Sequence, residues 1–196
     1  VAGSATFQAG LVELQDVASQ AVVETLALRK GQRILDYCAG GGGKALALAA
    51  LADSAVDAWD SDAARMQDIA KRAERAGADI TCLTEKPSGQ YDIVLCDVPC
   101  SGSGAWRRAP QGKWLLTSER LTQLGNVQGD ILQQAARLVS PGGVLVYTTC
   151  SLLAQENMDQ LAKFTEATPG WICDFSRQFL PIEGGDGFFV GHLRSV

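Results

Sequence analysis

Short, almost wholly apolar runs alternate along the chain with longer stretches in which apolar residues return every third or fourth position. The runs at 33–37, 55–59, 79–83, 91–97, 143–149, 171–175 and 187–193 have the length and continuity of strands. Helix-period segments lie between them, and that alternation predicts a parallel sheet with helices on both faces. The clearest helix spans 118–139, where Leu121, Leu124, Ile131, Leu132, Ala135 and Leu138 form one stripe and Pro141-Gly142-Gly143 ends it. A second runs over 61–77, with Ser61 as N-cap, Met66, Ile69 and Ala73 along it, and Gly77 at C′. Another opens at Lys44, and a first helix, 11–28, precedes the sheet. Only residues 176–186 join the last two strands, too few for a helical crossover, so those strands pair antiparallel. The expected fold is a doubly wound α/β sheet of seven strands, mostly parallel, with an antiparallel last strand.

Length and composition set the scale. With 196 residues, 46% of them hydrophobic, the chain is expected to form one domain with a full core. No run approaches the roughly 18–20 apolar residues of a membrane span, and no signal-peptide layout opens the chain, so a soluble cytoplasmic protein is expected. Six cysteines fall in apolar segments without a disulfide rhythm, and Cys38, Cys82, Cys96 and Cys173 read as small core residues. Cys96 and Cys100 stand four apart without an answering pair, and His192 is the single histidine, so no metal site is expected. A net charge of −5 excludes nucleic-acid binding by bulk charge. Residues 105–120 are the local exception, with Arg107, Arg108, Lys113 and Arg120 against Glu119; they are read evenly as a phosphate-facing surface or a solvated loop.

The first strand runs into Asp36-Tyr37-Cys38-Ala39-Gly40-Gly41-Gly42-Gly43-Lys44 at the start of a helix. Four glycines let the backbone approach a ligand, and the helix N-terminus offers N–H donors, which suits a nucleotide-like cofactor. Asp60 ends the second strand, where a carboxylate accepts hydrogen bonds from ribose hydroxyls. Gly40, Gly42 and Ala45 also satisfy the dinucleotide fingerprint, so this loop alone leaves NAD open.

Two further motifs tip that balance. Asp97-Val98-Pro99-Cys100-Ser101-Gly102-Ser103-Gly104 and Tyr147-Thr148-Thr149-Cys150-Ser151 each follow a strand, and neither is needed for hydride transfer. Ligands of open α/β sheets sit beyond the carboxyl ends of strands, so both thiols are expected to face one crevice. Paired thiols beside an acid suit a reaction in which one sulfur adds to an electron-poor carbon while another group manages protons. The antiparallel last hairpin also favours a methyltransferase-type sheet.

With these motifs the chain resembles the RsmB-like, Sun-type RNA cytosine-C5 methyltransferases. The likeness runs from Leu14-Gln15-Asp16-Val17-Ala18-Ser19-Gln20 through the glycine loop, Asp60 to Arg65, both cysteine motifs, Arg107-Arg108, Trp114-Leu115, Pro141-Gly142-Gly143 and Glu156-Asn157 to Asp186-Gly187-Phe188-Phe189-Val190. It implies a Rossmann-like, class I methyltransferase domain over 1–196, with 1–30 as its N-terminal helix region and the family's upstream RNA-binding region absent. It also implies S-adenosylmethionine, held by Cys38, Ala39, Gly40, Gly41, Gly42, Gly43, Lys44, Asp60, Arg65 and Asp97. RNA, most simply rRNA, is the implied substrate, Cys150 the implied nucleophile on cytosine C6, and Cys100 the group assisting release. By position, Asp97 is a candidate for the cytosine edge and Lys44 for tuning a thiol. Trp106 and Trp114 are candidates to stack on a base, or simply to pack.

The sequence departs from the family at several points. Gly40 and Gly41 replace an Ala-Pro pair, Ala45 a threonine and Ala109 a histidine, and Glu85 is the nearest substitute for the acid beside the adenine. These departures keep a second class open, a cofactor- or RNA-binding assembly factor without turnover. An NAD enzyme is a third reading. Methylation of protein or small molecules is a fourth, disfavoured because such targets need no covalent activation.

Overall fold

The computed structural model describes residues 3–196; Val1 and Ala2, the first positions of the expected N-terminal region, lie outside them. Seven strands form one sheet: β1 Ile34–Asp36, β2 Val56–Ala58, β3 Ile80–Cys82, β4 Tyr91–Asp97, β5 Val139–Thr149, β6 Trp171–Phe179 and β7 Phe188–Ser195. Their order is β3-β2-β1-β4-β5-β7-β6. β1 to β5 run parallel, and β7 pairs antiparallel with both β5 and β6. The expected strands are all present, although β6 is longer than its apolar core because residues 176–179 continue the pairing with β7.

The helices are α1 Ala5–Gln8, α2 Val17–Glu24, α3 Gly43–Ala52, α4 Ile69–Ala76, α5 Gln111–Leu115, α6 Ser118–Ala136 and α7 Met158–Ala167. They divide the core in two. Val22, Val23, Leu48 and Ile69 pack on one face of the sheet with Ile34, Ile93 and Val146. Leu132, Ala135, Leu161 and Phe164 cover the other with Leu35, Val94 and Leu145. Alternate residues of β1, β4 and β5 thus point into opposite layers, which is why these strands read as unbroken apolar runs. Removing a side chain such as the fully buried Leu132 costs about 2–5 kcal/mol.

Three helix boundaries differ from the pattern. The expected helix 11–28 is helical only over Val17–Glu24, because Asp16 takes the N-cap and its Oδ1 accepts the Ala18 N–H at 2.9 Å. The preceding segment is extended, and Glu13 within it is drawn to Arg72 and Arg75. In 61–77, Asp62 rather than Ser61 caps a 3-10 turn, Ala63–Met66, and the α-helix begins only at Ile69. Gly77 does close it in the left-handed region, φ 64°. The helix 118–139 stops at Ala136, because Val139 has already joined β5 opposite Tyr91. Pro141-Gly142-Gly143 is therefore a bulge inside β5, where the register with β4 shifts and Gly142 adopts φ 79°.

Strand order reverses between β1 and β4, and a crevice opens beyond the carboxyl ends of the strands at such a point. Among the described residues no helix is long and apolar enough to cross a membrane.

Candidate active site

The glycine loop joins β1 to α3 in that crevice. Gly42 holds φ 78°, and a Cβ there would meet Ile69 Cγ1 at 2.8 Å, so the position requires glycine on both counts. The loop is anchored in spite of its composition. The Gly40 N–H donates to Asp60 Oδ2 at 2.9 Å, the Ala39 N–H to the Trp59 carbonyl at 3.0 Å, and Arg72 to the Gly41 carbonyl. Two of these three ties stand on the glycines that replace the family's Ala-Pro pair.

A cleft of about 290 Å³ lies against this loop. Of the ten cofactor residues expected, Cys38, Ala39, Gly40, Gly41, Gly43, Lys44, Arg65 and Asp97 line it, while Gly42 and Asp60 sit behind. The Asp60 carboxylate is already engaged by the Gly40 and Asp62 N–H groups and by Arg65 at 2.9 Å. Glu85 is exposed and does not line the cleft, which leaves the adenine-side acid unassigned.

Asp36 lines the same cleft and went unassigned in the sequence reading. It is 1% exposed, and neither carboxylate oxygen has a hydrogen-bond partner. Burial, reinforced by the negative charge of Asp97, pushes its pKa up to about 7. A buried carboxylate without donors calls for a ligand that brings them, so the residues present fit a cofactor carrying an ammonium group.

Cys100 follows β4 and Cys150 follows β5 directly, and Asp97 of β4 pairs with Thr148 of β5. Adjacent parallel strands thus bring the two thiols together, with Sγ–Sγ 3.4 Å. The sulfurs share one hydrogen bond and shift in opposite directions. The bond from Cys100 lowers the pKa of Cys150, burial and Asp97 act against it, and Lys44 assists. The Cys100 thiol is pushed well up by the same bond, by burial and by the Cys150 charge. Lys44 is buried, donates to Asp97 Oδ2 at 2.7 Å and lies 4.8 Å from the centre of the Phe188 ring. Neither thiol lines the cleft itself, but Lys44 and Asp97, which do, both act on Cys150 through their charges.

Of the remaining cysteines only Cys96 is fully buried; Cys38, which lines the cleft, Cys82 and Cys173 are half-buried. Burial pushes Cys96, Cys38, Cys82 and Cys173 upward, so none is a thiolate near neutral pH. Arg107 and Arg108 fit neither reading of 105–120, a phosphate-facing surface or a solvated loop, since their guanidinium groups are engaged within the protein. Both hold the fully buried Asp186, at 2.9 and 2.6 Å, and Arg107 also approaches Asp16 at 3.5 Å. They tie three distant segments together. Trp106 is half-buried, its indole N–H without an acceptor, whereas Trp114 is 81% exposed with the Lys113 ammonium 5.4 Å from its ring. Among the described residues no cluster of His, Cys, Asp or Glu fits a metal ion.

A family model for 16S rRNA methyltransferase RsmB/F matches residues 23–194. The chain belongs to this family. Ribosomal RNA small subunit methyltransferase B of Proteus mirabilis is 36% identical over 198 residues, covering 96% of this chain and 47% of that protein. Its counterpart from Xylella fastidiosa is 38% identical over 208 residues, covering 95% and 49%. The chain therefore spans about half the length of these curated relatives. Among solved structures, NSun6 from Pyrococcus horikoshii with SFG superposes with a TM-score of 0.89 at 22% identity, over all of this chain and 56% of that one. A methyltransferase homolog protein from Pyrococcus horikoshii gives 0.85 at 23%, over all of this chain and 72% of that one. These two likenesses carry the class I methyltransferase fold. RsmB/F proteins are S-adenosylmethionine-dependent, so the methyl donor implied by the resemblance stands and the NAD reading falls away.

Proposed function

We propose that this chain is the catalytic part of an S-adenosylmethionine-dependent enzyme that forms 5-methylcytosine in rRNA, with Cys150 as nucleophile. The observation that carries this reading is the 3.4 Å contact of two sulfurs shifted in opposite directions beside the glycine-loop cleft.

The cofactor supplies an electrophilic methyl group when bound. Asp36 would receive its ammonium and the backbone of Cys38 to Gly43 would hold it, while Asp60, behind the loop and braced by Arg65, would offer its remaining lone pair to the ribose. Carbon 5 of cytosine is a weak nucleophile. The Cys150 thiolate would add to carbon 6 and make the C5–C6 electron pair available at carbon 5, which would take the methyl group as the bond from that methyl to the donor sulfur breaks, with S-adenosylhomocysteine as leaving group. Asp97, held by Lys44, hydrogen-bonds the cytosine edge, where charge builds up during addition.

Release needs a base. While Cys150 is a thiolate, Cys100 is kept neutral by donating to it. Once Cys150 has become a thioether, that bond and that charge are gone, and with them two of the causes that raise the Cys100 pKa. Cys100, directly or through a water, then takes the proton from carbon 5, the C5–C6 double bond re-forms, and Cys150 leaves as thiolate. Lys113, Trp114 and Arg120 form the face toward flanking RNA.

The deciding experiment is methyl transfer from labelled S-adenosylmethionine to 16S rRNA, followed by nucleoside analysis. Labelled 5-methylcytosine that disappears in Cys150→Ala supports the proposal. Unchanged transfer in that variant overturns the nucleophile assignment, and cofactor binding without turnover on any RNA points instead to a binding factor.

A further inference from the structure

Glu156 is fully buried and ion-pairs with no cation among the described residues, yet its carboxylate is saturated. Oε1 accepts the Ser101 N–H at 2.8 Å and Gln128 Nε2 at 3.1 Å, and Oε2 accepts the hydroxyls of Ser101 and Ser151 at 2.5 and 2.6 Å. Four donors match the lone pairs of one carboxylate, an arrangement that replaces lost hydration. The same Gln128 nitrogen donates to the Pro99 carbonyl at 2.9 Å. Cys100 is thus gripped on both sides, through Pro99 and through Ser101.

The next residue repeats the device on the other sulfur. Asn157 Oδ1 accepts the Thr149 hydroxyl at 2.6 Å, and its Nδ2 donates to the Ser151 carbonyl at 2.9 Å. Cys150 is thus gripped through Thr149 and Ser151. Tyr147 donates to the Glu156 carbonyl at 2.6 Å, which ties the pair to β5. Ser103 Oγ, which accepts the Leu152 N–H at 2.8 Å, lies 2.9 Å from Ser151 Oγ and closes the network.

We propose that Glu156 and Asn157 are positioning residues that bracket Cys100 and Cys150 respectively and so set the distance between the two sulfurs. The catalytic consequence rests on the function proposed above; the geometric claim does not. Neighbouring residues on one short segment act on both sulfur loops, so the backbone of neither cysteine can shift without breaking a buried hydrogen bond.

The test uses Glu156→Gln and Asn157→Ala, with Ser101→Ala as a milder variant if either fails to fold. Glu156→Gln keeps the volume but turns an acceptor into a donor facing two hydroxyls or two N–H groups. Each folded variant is treated with diamide, and the rate of the Cys100–Cys150 disulfide is read by peptide mapping. Cross-linking about tenfold slower than wild type, with S-adenosylhomocysteine affinity held, is the expected result, and misplacement near 1 Å is expected to cost about a hundredfold in transfer kcat. General loosening would expose the thiols and speed cross-linking, so a slower rate reports positioning. A wild-type rate in folded Glu156→Gln and Asn157→Ala overturns the proposal. Slower cross-linking in variants of a wild-type chain that methylates no RNA upholds the positioning and sinks the methyltransferase reading alone.

Discussion

Cys100 and Cys150 lie fifty positions apart in the chain, yet their sulfurs share one hydrogen bond at 3.4 Å. The contact follows from the parallel pairing of β4 with β5, which sets Asp97 beside Thr148 and lets both chains turn into the crevice at the same height. Such proximity makes the two thiols chemically unequal, and unequal thiols suit a reaction with an adding group and a releasing group.

If Cys100 is the releasing group, its loss separates addition from release. In Cys100→Ala, Cys150 still adds to carbon 6 and still supports methylation, but elimination slows, typically by 100-fold or more for a lost general base. A stable RNA–protein adduct is expected on denaturing gels with 16S rRNA and S-adenosylmethionine, absent in the Cys100→Ala/Cys150→Ala double variant. Turnover at the wild-type rate without any adduct would remove Cys100 from the mechanism.

Asp36 predicts a pH effect on stability. Its pKa rises on folding from the usual 3.8 to about 7, chiefly through burial. Between those values the folded chain holds a proton that the unfolded chain has released, so this group favours folding below pH 4 and loses that contribution as pH rises to 7. Asp36→Asn removes the penalty. The cofactor-free variant is expected to gain up to about 4 kcal/mol at pH 8 and nothing at pH 4, while binding S-adenosylhomocysteine more weakly. Thermal unfolding across pH and a binding titration check both; equal melting curves at pH 8 would dismiss the assignment.

What the sequence disclosed and what it withheld follow one physical line. The central strands β1, β4 and the later part of β5 are buried on both faces and so are apolar nearly throughout, whereas the edge strands β3 and β6 are partly exposed and showed as shorter apolar runs between turn and helix signals; glycine and cysteine motifs kept their order at strand ends. Helix ends were less legible because hydrogen bonds from elsewhere decide them: Asp16 outcompetes the apolar period before Val17, and β5 recruits Val139 away from α6. The residues left unassigned depend on tertiary context. Asp36 is distinguished by lacking donors and Glu156 by having four, and neither property is a pattern of residue types. Arg107 and Arg108 are held by Asp186, nearly eighty positions away, a partnership that no local pattern of residues reveals.

Trp114 offers a surface test. At 81% exposure its ring adds little to the core, so Trp114→Ala is expected to leave the melting temperature within a degree or two of wild type. If it stacks on a flanking nucleotide, the change costs about 1–3 kcal/mol of RNA binding, read as a roughly 5- to 150-fold higher KM for RNA with kcat retained. An unaltered KM would mark the ring as a bystander.

Lys44 tests the electrostatics of the thiol pair. Its ammonium lowers the Cys150 pKa, whereas Asp97 raises it, and the 2.7 Å contact between them balances the two. Lys44→Met keeps most of the aliphatic stem against Phe188 but leaves Asp97 without its counter-ion. The pH midpoint for alkylation of Cys150 by iodoacetamide is then expected to move upward, because a nearby positive charge that favours the thiolate is lost. Methyl transfer at pH 7 falls in step, since less thiolate is present. Lys44→Met/Asp97→Asn removes both charges and should bring the midpoint back toward the wild-type value. A midpoint that stays put in the single variant, or fails to return in the double, would show that the hydrogen bond from Cys100 alone governs the nucleophile.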